Sequence, residues 1–127
     1  MNAARILVVD DDESMRQLLH LHLVNAGYEV MLAEDAIVAA HTLMKQPVDL
    51  VVLDIEMPYM DGVQLLRGLK GEERLCRIPV VFLTANKEVQ SQATGVGAAG
   101  FLTKPIVANR LLHEIAKHIP GAPQPID

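Results

Sequence analysis

Four short, mostly apolar runs in this chain end in side chains able to do chemistry. Ile6 to Val9 stops at Asp10 and Asp11, Leu50 to Leu53 at Asp54, Val80 to Leu83 at Thr84, and Gly100 to Thr103 at Lys104. Val/Leu/Ile runs of this length suit strands covered on both faces, as in a parallel sheet packed between helices. With right-handed crossovers, the carboxyl ends of such strands line one edge of the sheet, where open α/β folds bind ligands. Three carboxylates meeting there repel: a like-charged pair ~4 Å apart costs roughly 4 kcal/mol at an effective dielectric of about 20. A hard divalent cation relieves that repulsion, and an all-oxygen site with few protein ligands suits Mg²⁺. A metal with open positions, a carboxylate nucleophile, a lysine and a hydroxyl together make a phosphoryl-transfer site. Asp54 can take a phosphoryl group as an acyl phosphate, while the metal and Lys104 neutralise its oxygens. Each residue alone has a plainer reading: Asp11 and Asp12 as acids at a helix start, Lys104 as a solvated lysine, Thr84 as a strand threonine. The weight lies in their coincidence at four strand ends.

The elements that must position these groups alternate as βα units. After the first strand, a helix carries Met15, Leu18, Leu19, His22, Leu23 and Ala26 along one face, with Asp12, Glu13 and Ser14 at its start and Gly27 as its stop. Glu29 to Ala33 reads as a second strand, without a reactive group at its end. A helix from Ala36 to Lys45 points Ala36, Ala39, Ala40, Leu43 and Met44 inward. The third strand is Asp49 to Leu53, and Pro58 and Gly62 punctuate the loop beyond Asp54. A helix over Val63 to Lys70 follows, weakened by Gly68. Pro79 opens the fourth strand. Glu88 to Val96 keeps helical spacing only at Val89, Ala93 and Val96, and its glycine-eroded end makes it the least stable expected segment. The last helix, Val107 to Ile119, buries Leu111, Leu112, Ile115 and Ile119. The expected fold is a three-layer, doubly wound, five-stranded parallel sheet of order 2-1-3-4-5, flavodoxin-like, over residues 1–119. Residues 120–127 are a linker-like tail rich in Pro and Gly.

Composition narrows the function classes. The chain has 127 residues, half of them hydrophobic, and a formal net charge of -5, so one domain with a real core is expected. Its basic residues form no stripe, which argues against nucleic-acid binding. The single cysteine, Cys76, excludes an internal disulfide and fits a reducing compartment. No apolar run approaches the roughly 18 residues a membrane span needs, and the acids after Val9 exclude a signal peptide. A cytoplasmic protein without membrane contact is expected. None of the five histidines forms a convincing ligand pair. His20 and His22 lie on different helix faces, and His113 and His118 are five apart.

Taken in order, V-V-D-D (Val8 to Asp11), V-L-D-I-E-M-P-Y-M-D-G (Val52 to Gly62), F-L-T-A (Phe82 to Ala85) and G-F-L-T-K-P-I (Gly100 to Ile106) resemble a response-regulator receiver domain of two-component signalling. The resemblance runs from Arg5 to His118. It implies that Asp54 is the phosphoacceptor. Asp11 and Asp54 would ligate Mg²⁺ directly, Asp10 through water, and Glu56 through its backbone carbonyl. Lys104 would meet the phosphoryl oxygens, with the Lys104-Pro105 peptide cis. Thr84 and Phe101 would form the switch pair, with Ala85 and Pro105 beside them, and Glu56 and Asn86 would sit where the family tunes dephosphorylation.

The resemblance further implies a signalling phosphoacceptor, not a metabolic enzyme, that assists its own phosphorylation and dephosphorylation. Its partners would be a histidine kinase or phosphotransfer protein upstream, and a downstream protein or C-terminal output domain reading the surface of helix 4, strand 5 and helix 5. A homodimer formed on phosphorylation is also compatible. Three other readings stay open. One is a Mg²⁺-dependent phosphohydrolase built on the D-x-D of Asp10 to Asp12, although Ser14 stands where a threonine or valine is usual. A second is a degenerate receiver that only binds, disfavoured because every site position carries a competent residue. The third is a flavin protein of the same topology, whose phosphate the acidic run after strand 1 would repel.

Overall fold

The computed structural model describes residues 3–55, 62–85 and 97–122. Along the chain lie β1 (Arg5–Val9), α1 (Glu13–Asn25), β2 (Glu29–Ala33), α2 (Ala36–Lys45), β3 (Leu50–Asp54), α3 (Gly62–Lys70), β4 (Val80–Thr84), β5 (Gly100–Thr103) and a final helix, α4 (Ala108–Ala116). The strands form one parallel sheet in the order β2-β1-β3-β4-β5, as the sequence pattern requires. The segment expected as a weak helix, Glu88 to Val96, and the loop from Glu56 to Asp61 lie outside the described residues.

The central strands are apolar on both faces because both faces are covered. Leu7, Val9, Val51, Leu53, Val80 and Phe82 pack with Ala36, Ala39 and Leu43 of α2 and Leu65, Leu66 and Leu69 of α3. The alternate residues Ile6, Val8, Leu50, Val52, Val81 and Leu83 pack with Leu19 and Leu23 of α1 and Leu111 and Ile115 of α4. This period-two division sends successive strand residues into two separate cores. Fully burying one such side chain contributes about 1.5–3 kcal/mol.

Helix ends follow the local chemistry. The Asp12 carboxylate accepts from the Ser14 amide at 2.9 Å, and that of Asp35 from the Val38 amide at 2.8 Å. Each such cap typically contributes ~1 kcal/mol. Gly27, at φ 99°, turns the chain out of α1 in a conformation that side chains with a Cβ resist.

Two expectations are corrected. Leu18 on α1, and Ala40 and Met44 on α2, are exposed, because the sheet covers only a narrow stripe of each helix. Regular helix α4 ends at Ala116, and turns carry the chain on so that Ile119 still reaches the core. His118 is partly buried and pairs with an acid, not with another histidine. Its Nε2 lies 2.7 Å from Glu114 Oε2 against β5, where a Cβ on Gly100 would approach that oxygen to 2.7 Å. The start of the expected tail packs too, with Ala122 against the α1/α4 core, while residues 123–127 lie outside the described ones.

Candidate functional site

Register alone brings the reactive strand ends together. Val9 pairs with Leu53, so one step further along both strands sets Asp10 beside Asp54. Both continue the alternation of Ile6, Val8, Leu50 and Val52, on the α1/α4 side of the sheet. Asp10 is fully buried and Asp54 is 3 % exposed, whereas Asp11 is exposed at the mouth. One carboxylate oxygen from each of the three lies within 4.8 Å of the other two.

The turn after β1 is built to hold this arrangement. The Asp10 amide donates to the Ala33 carbonyl at 3.1 Å, continuing the β1–β2 ladder. Asp10 Oδ1 accepts from the Asp12 amide at 2.9 Å. Its other oxygen, Oδ2, is buried without a hydrogen-bond partner among the described residues. A buried carboxylate oxygen that accepts no hydrogen bond is costly. A buried oxygen without a hydrogen bond, beside two further carboxylates, is the donor set a hard divalent cation completes, so the residues present fit Mg²⁺.

Lys104 faces this crevice from just past the end of β5. Its Nζ is 3.5 Å from Asp10 Oδ2 and 3.5 Å from Asp54 Oδ2. Partial burial works against the ammonium, but attraction to Asp54 and then Asp10 outweighs it, holding the Lys104 pKa above its ordinary value. The lysine stays charged at neutral pH. Its amide donates to the Thr84 carbonyl at 2.8 Å, tying the ends of β4 and β5 together. The Lys104-Pro105 peptide is cis, as the resemblance implies.

Thr84 is buried at 1 % exposure, and Phe101 is half-buried. The alternation places them both on the α2/α3 side, with Phe101 in register with Phe82 and Thr84 with Thr103. The two candidate switch residues therefore share one face of neighbouring strands. Ala85 and Pro105 are exposed at the rim. Glu56, expected to lend its carbonyl, and Asn86 lie outside the described residues.

Two contributors escape the sequence reading. The Asp12 amide closes an Asx turn onto Asp10, for which three successive aspartates are a usable signal. Arg16 donates from Nη1 to the Asp10 carbonyl at 2.7 Å, and no motif announces it.

Comparison with known proteins agrees with this geometry. Residues 6–116 match the family model of the response regulator receiver domain. The chain is 35% identical over 113 residues to the "DNA-binding dual master transcriptional regulator RpaA" of Synechocystis, covering 87% of this chain and 47% of that protein. It is 38% identical over 112 residues to the response regulator MprA of Mycobacterium tuberculosis, covering 87% of this chain and 48% of that one. It thus spans about half the length of these curated relatives. Among solved structures, the chemotaxis response regulator CheY4 of Vibrio cholerae superposes with a TM-score of 0.88 at 31% identity, over 93% of this chain and all of that one. The receiver domain of the sensor histidine kinase PA1611 of Pseudomonas aeruginosa, solved with a magnesium ion coordinated in its active-site cleft, gives 0.84 at 26% identity, over 91% and 97% of the two chains. With a family match over most of its length, a doubly wound sheet and an acidic crevice facing a lysine where the motifs put them, this chain belongs to the receiver domains of response regulators, the signalling modules of two-component systems.

Proposed function

We propose that this receiver takes a phosphoryl group onto Asp54 from a phosphohistidine of a kinase or phosphotransfer protein. Asp10, Asp11, Asp54 and the Glu56 carbonyl would hold Mg²⁺. The observation that carries this reading is the buried Asp54 carboxylate, clustered with two others and 3.5 Å from Lys104. A receiver domain solved with magnesium in its cleft supports the choice of metal.

An Asp54 oxygen attacks phosphorus, and the new O–P bond forms as the P–N bond to the donor imidazole breaks. The bonding pair stays on that nitrogen, which takes up a proton. When bound, Mg²⁺ supplies charge neutralisation and orientation for the phosphoryl oxygens. Lys104, already charged, needs little movement to exchange its carboxylate contacts for a phosphoryl oxygen. Hydrolysis by water returns Asp54 and inorganic phosphate.

Signalling needs a two-state element. Shifting one from 1:99 to 99:1 takes ~5.5 kcal/mol, against about 1.5–3 kcal/mol for one hydrogen bond to a charged group. Thr84 must therefore act together with Lys104, and Phe101 carries the change outward along β5. The surface of residues 88–96, β5 and α4 would be read by a downstream protein, by an attached output domain or by a second phosphorylated copy. This makes the protein a cytoplasmic phosphorelay module, and not a metabolic enzyme. Among the described residues, no helix is long and apolar enough to cross a membrane.

Incubation with Mg²⁺ and acetyl phosphate tests the reading by intact mass. One acid-stable, base-labile phosphoryl group is expected on the wild type and none on Asp54→Asn. Label that survives in Asp54→Asn overturns it, and favours a hydrolase whose nucleophile lies in the Asp10 to Asp12 run.

A further inference from the structure

The acidic turn after β1 is fastened by a residue with no assigned part in the chemistry. Asp10 faces β2, where its amide meets the Ala33 carbonyl, and the β1–β2 register ends at the Val9–Ala33 pair. The fully buried Asp10 thus needs a donor for its backbone carbonyl from elsewhere. Arg16, one turn into α1, supplies it: Nη1 donates to that carbonyl at 2.7 Å in a half-buried contact. Three bonds then fix Asp10: its amide to Ala33, its carbonyl from Arg16, and its Oδ1 from the Asp12 amide. The peptide that Arg16 grips is the one joining Asp10 to Asp11, so its orientation sets where both carboxylates point.

We propose that Arg16 is a positioning residue for the divalent-cation site, acting through the Asp10 carbonyl. The inference rests on the Mg²⁺-dependent reading above. Charge and position give opposite signs here, which makes the role testable. A guanidinium beside an acidic crevice repels a cation, so removing its charge alone would tighten Mg²⁺ binding. Removing a pin from the ligands' backbone would weaken it, since outer-shell partners orient metal ligands. Losing one typically costs 10–100-fold in affinity. Arg16 holds a ligand's backbone and not its side chain, so about 10-fold, the low end of that range, is expected.

The test compares the intact wild-type chain with Arg16→Met and Arg16→Lys, titrating Mg²⁺ into unphosphorylated protein. Backbone amide shifts of Asp11 and Asp12 give the dissociation constant. Urea unfolding without divalent ions checks that each variant is folded. Arg16→Met should bind Mg²⁺ about 10-fold more weakly. Acetyl-phosphate labelling should need correspondingly more Mg²⁺, while its rate at saturating Mg²⁺ stays near that of the wild type. Arg16→Lys, whose ammonium can reach the same carbonyl, should recover part of the affinity. Unchanged or tighter Mg²⁺ binding in Arg16→Met overturns the inference, as does a fall in the saturated rate without a change in Mg²⁺ affinity. If Arg16→Met fails to fold, Arg16→Lys decides alone: affinity equal to or tighter than that of the wild type overturns the proposal. A wild type that neither binds Mg²⁺ nor labels at Asp54 would instead remove the functional reading itself.

Discussion

Replacing Asp10 by Asn should stabilise the protein in the absence of divalent ions, although it removes an ion pair. The three clustered carboxylates have oxygens within 4.8 Å, so each like-charged pair costs at least about 3 kcal/mol at an effective dielectric of about 20. Repulsion involving Asp11 is discounted because Asp11 is exposed. Against this, Asp10 loses Lys104 at 3.5 Å, an attraction of roughly 5 kcal/mol by the same formula, reduced because that ammonium is 24% exposed. The Coulomb effects nearly cancel. What remains is the burial of a charged carboxylate with no exposure, which costs several kcal/mol. Asn keeps Oδ1 for the Asp12 amide and puts an N–H where Oδ2 has no hydrogen bond. The net expectation is a gain of about 1–3 kcal/mol, or several degrees in melting temperature. Thermal and urea unfolding in EDTA measure it. Mg²⁺ at 100 times its dissociation constant should then stabilise the wild type by ~2.7 kcal/mol and Asp10→Asn by clearly less. An Asp10→Asn protein less stable than wild type in EDTA would refute the charge-crowding argument.

Other perturbations follow from the same contacts. Lys104→Met leaves Asp10 and Asp54 buried without their shared cation, and should cost about 3–5 kcal/mol by urea unfolding in EDTA, partly recovered by Mg²⁺. Gly68→Ala meets nothing within 4 Å and should stabilise α3 by about 0.5–1 kcal/mol, whereas Gly100→Ala forces Glu114 from His118 and should cost ~1 kcal/mol. Burial raises the Tyr28 phenol above its ordinary 10.0, so the unfolded chain ionises first as pH rises. Its contribution is complete below about pH 10 and is lost as pH climbs toward the folded value. The urea midpoint of the wild type should therefore fall more steeply above about pH 10 than that of Tyr28→Phe.

The sheet was legible because parallel strands buried on both faces must be apolar at every position, and residues 50–53 and 80–83 show little else. Their reactive ends were legible for the same reason: Asp54 and Thr84 interrupt an apolar run. Helix faces were harder to read. Leu18 and Met44 keep helical spacing with buried neighbours yet are exposed, since spacing gives a face but not how wide a stripe the sheet covers. Contacts between a side chain and a backbone carbonyl, such as Arg16 on Asp10, leave no periodicity at all. The Glu114–His118 pair depends on Gly100, a residue far away in sequence that clears the space for it.

The central claim is that one buried carboxylate, at the end of β3, carries the phosphoryl group. Borohydride reduction of acetyl-phosphate-treated protein turns an aspartyl phosphate into homoserine, and peptide mass spectrometry then reads the position. Homoserine at position 54 alone, dependent on Mg²⁺, is the result expected. Homoserine at position 10 or 11, or at no position despite bound Mg²⁺, would contradict the account.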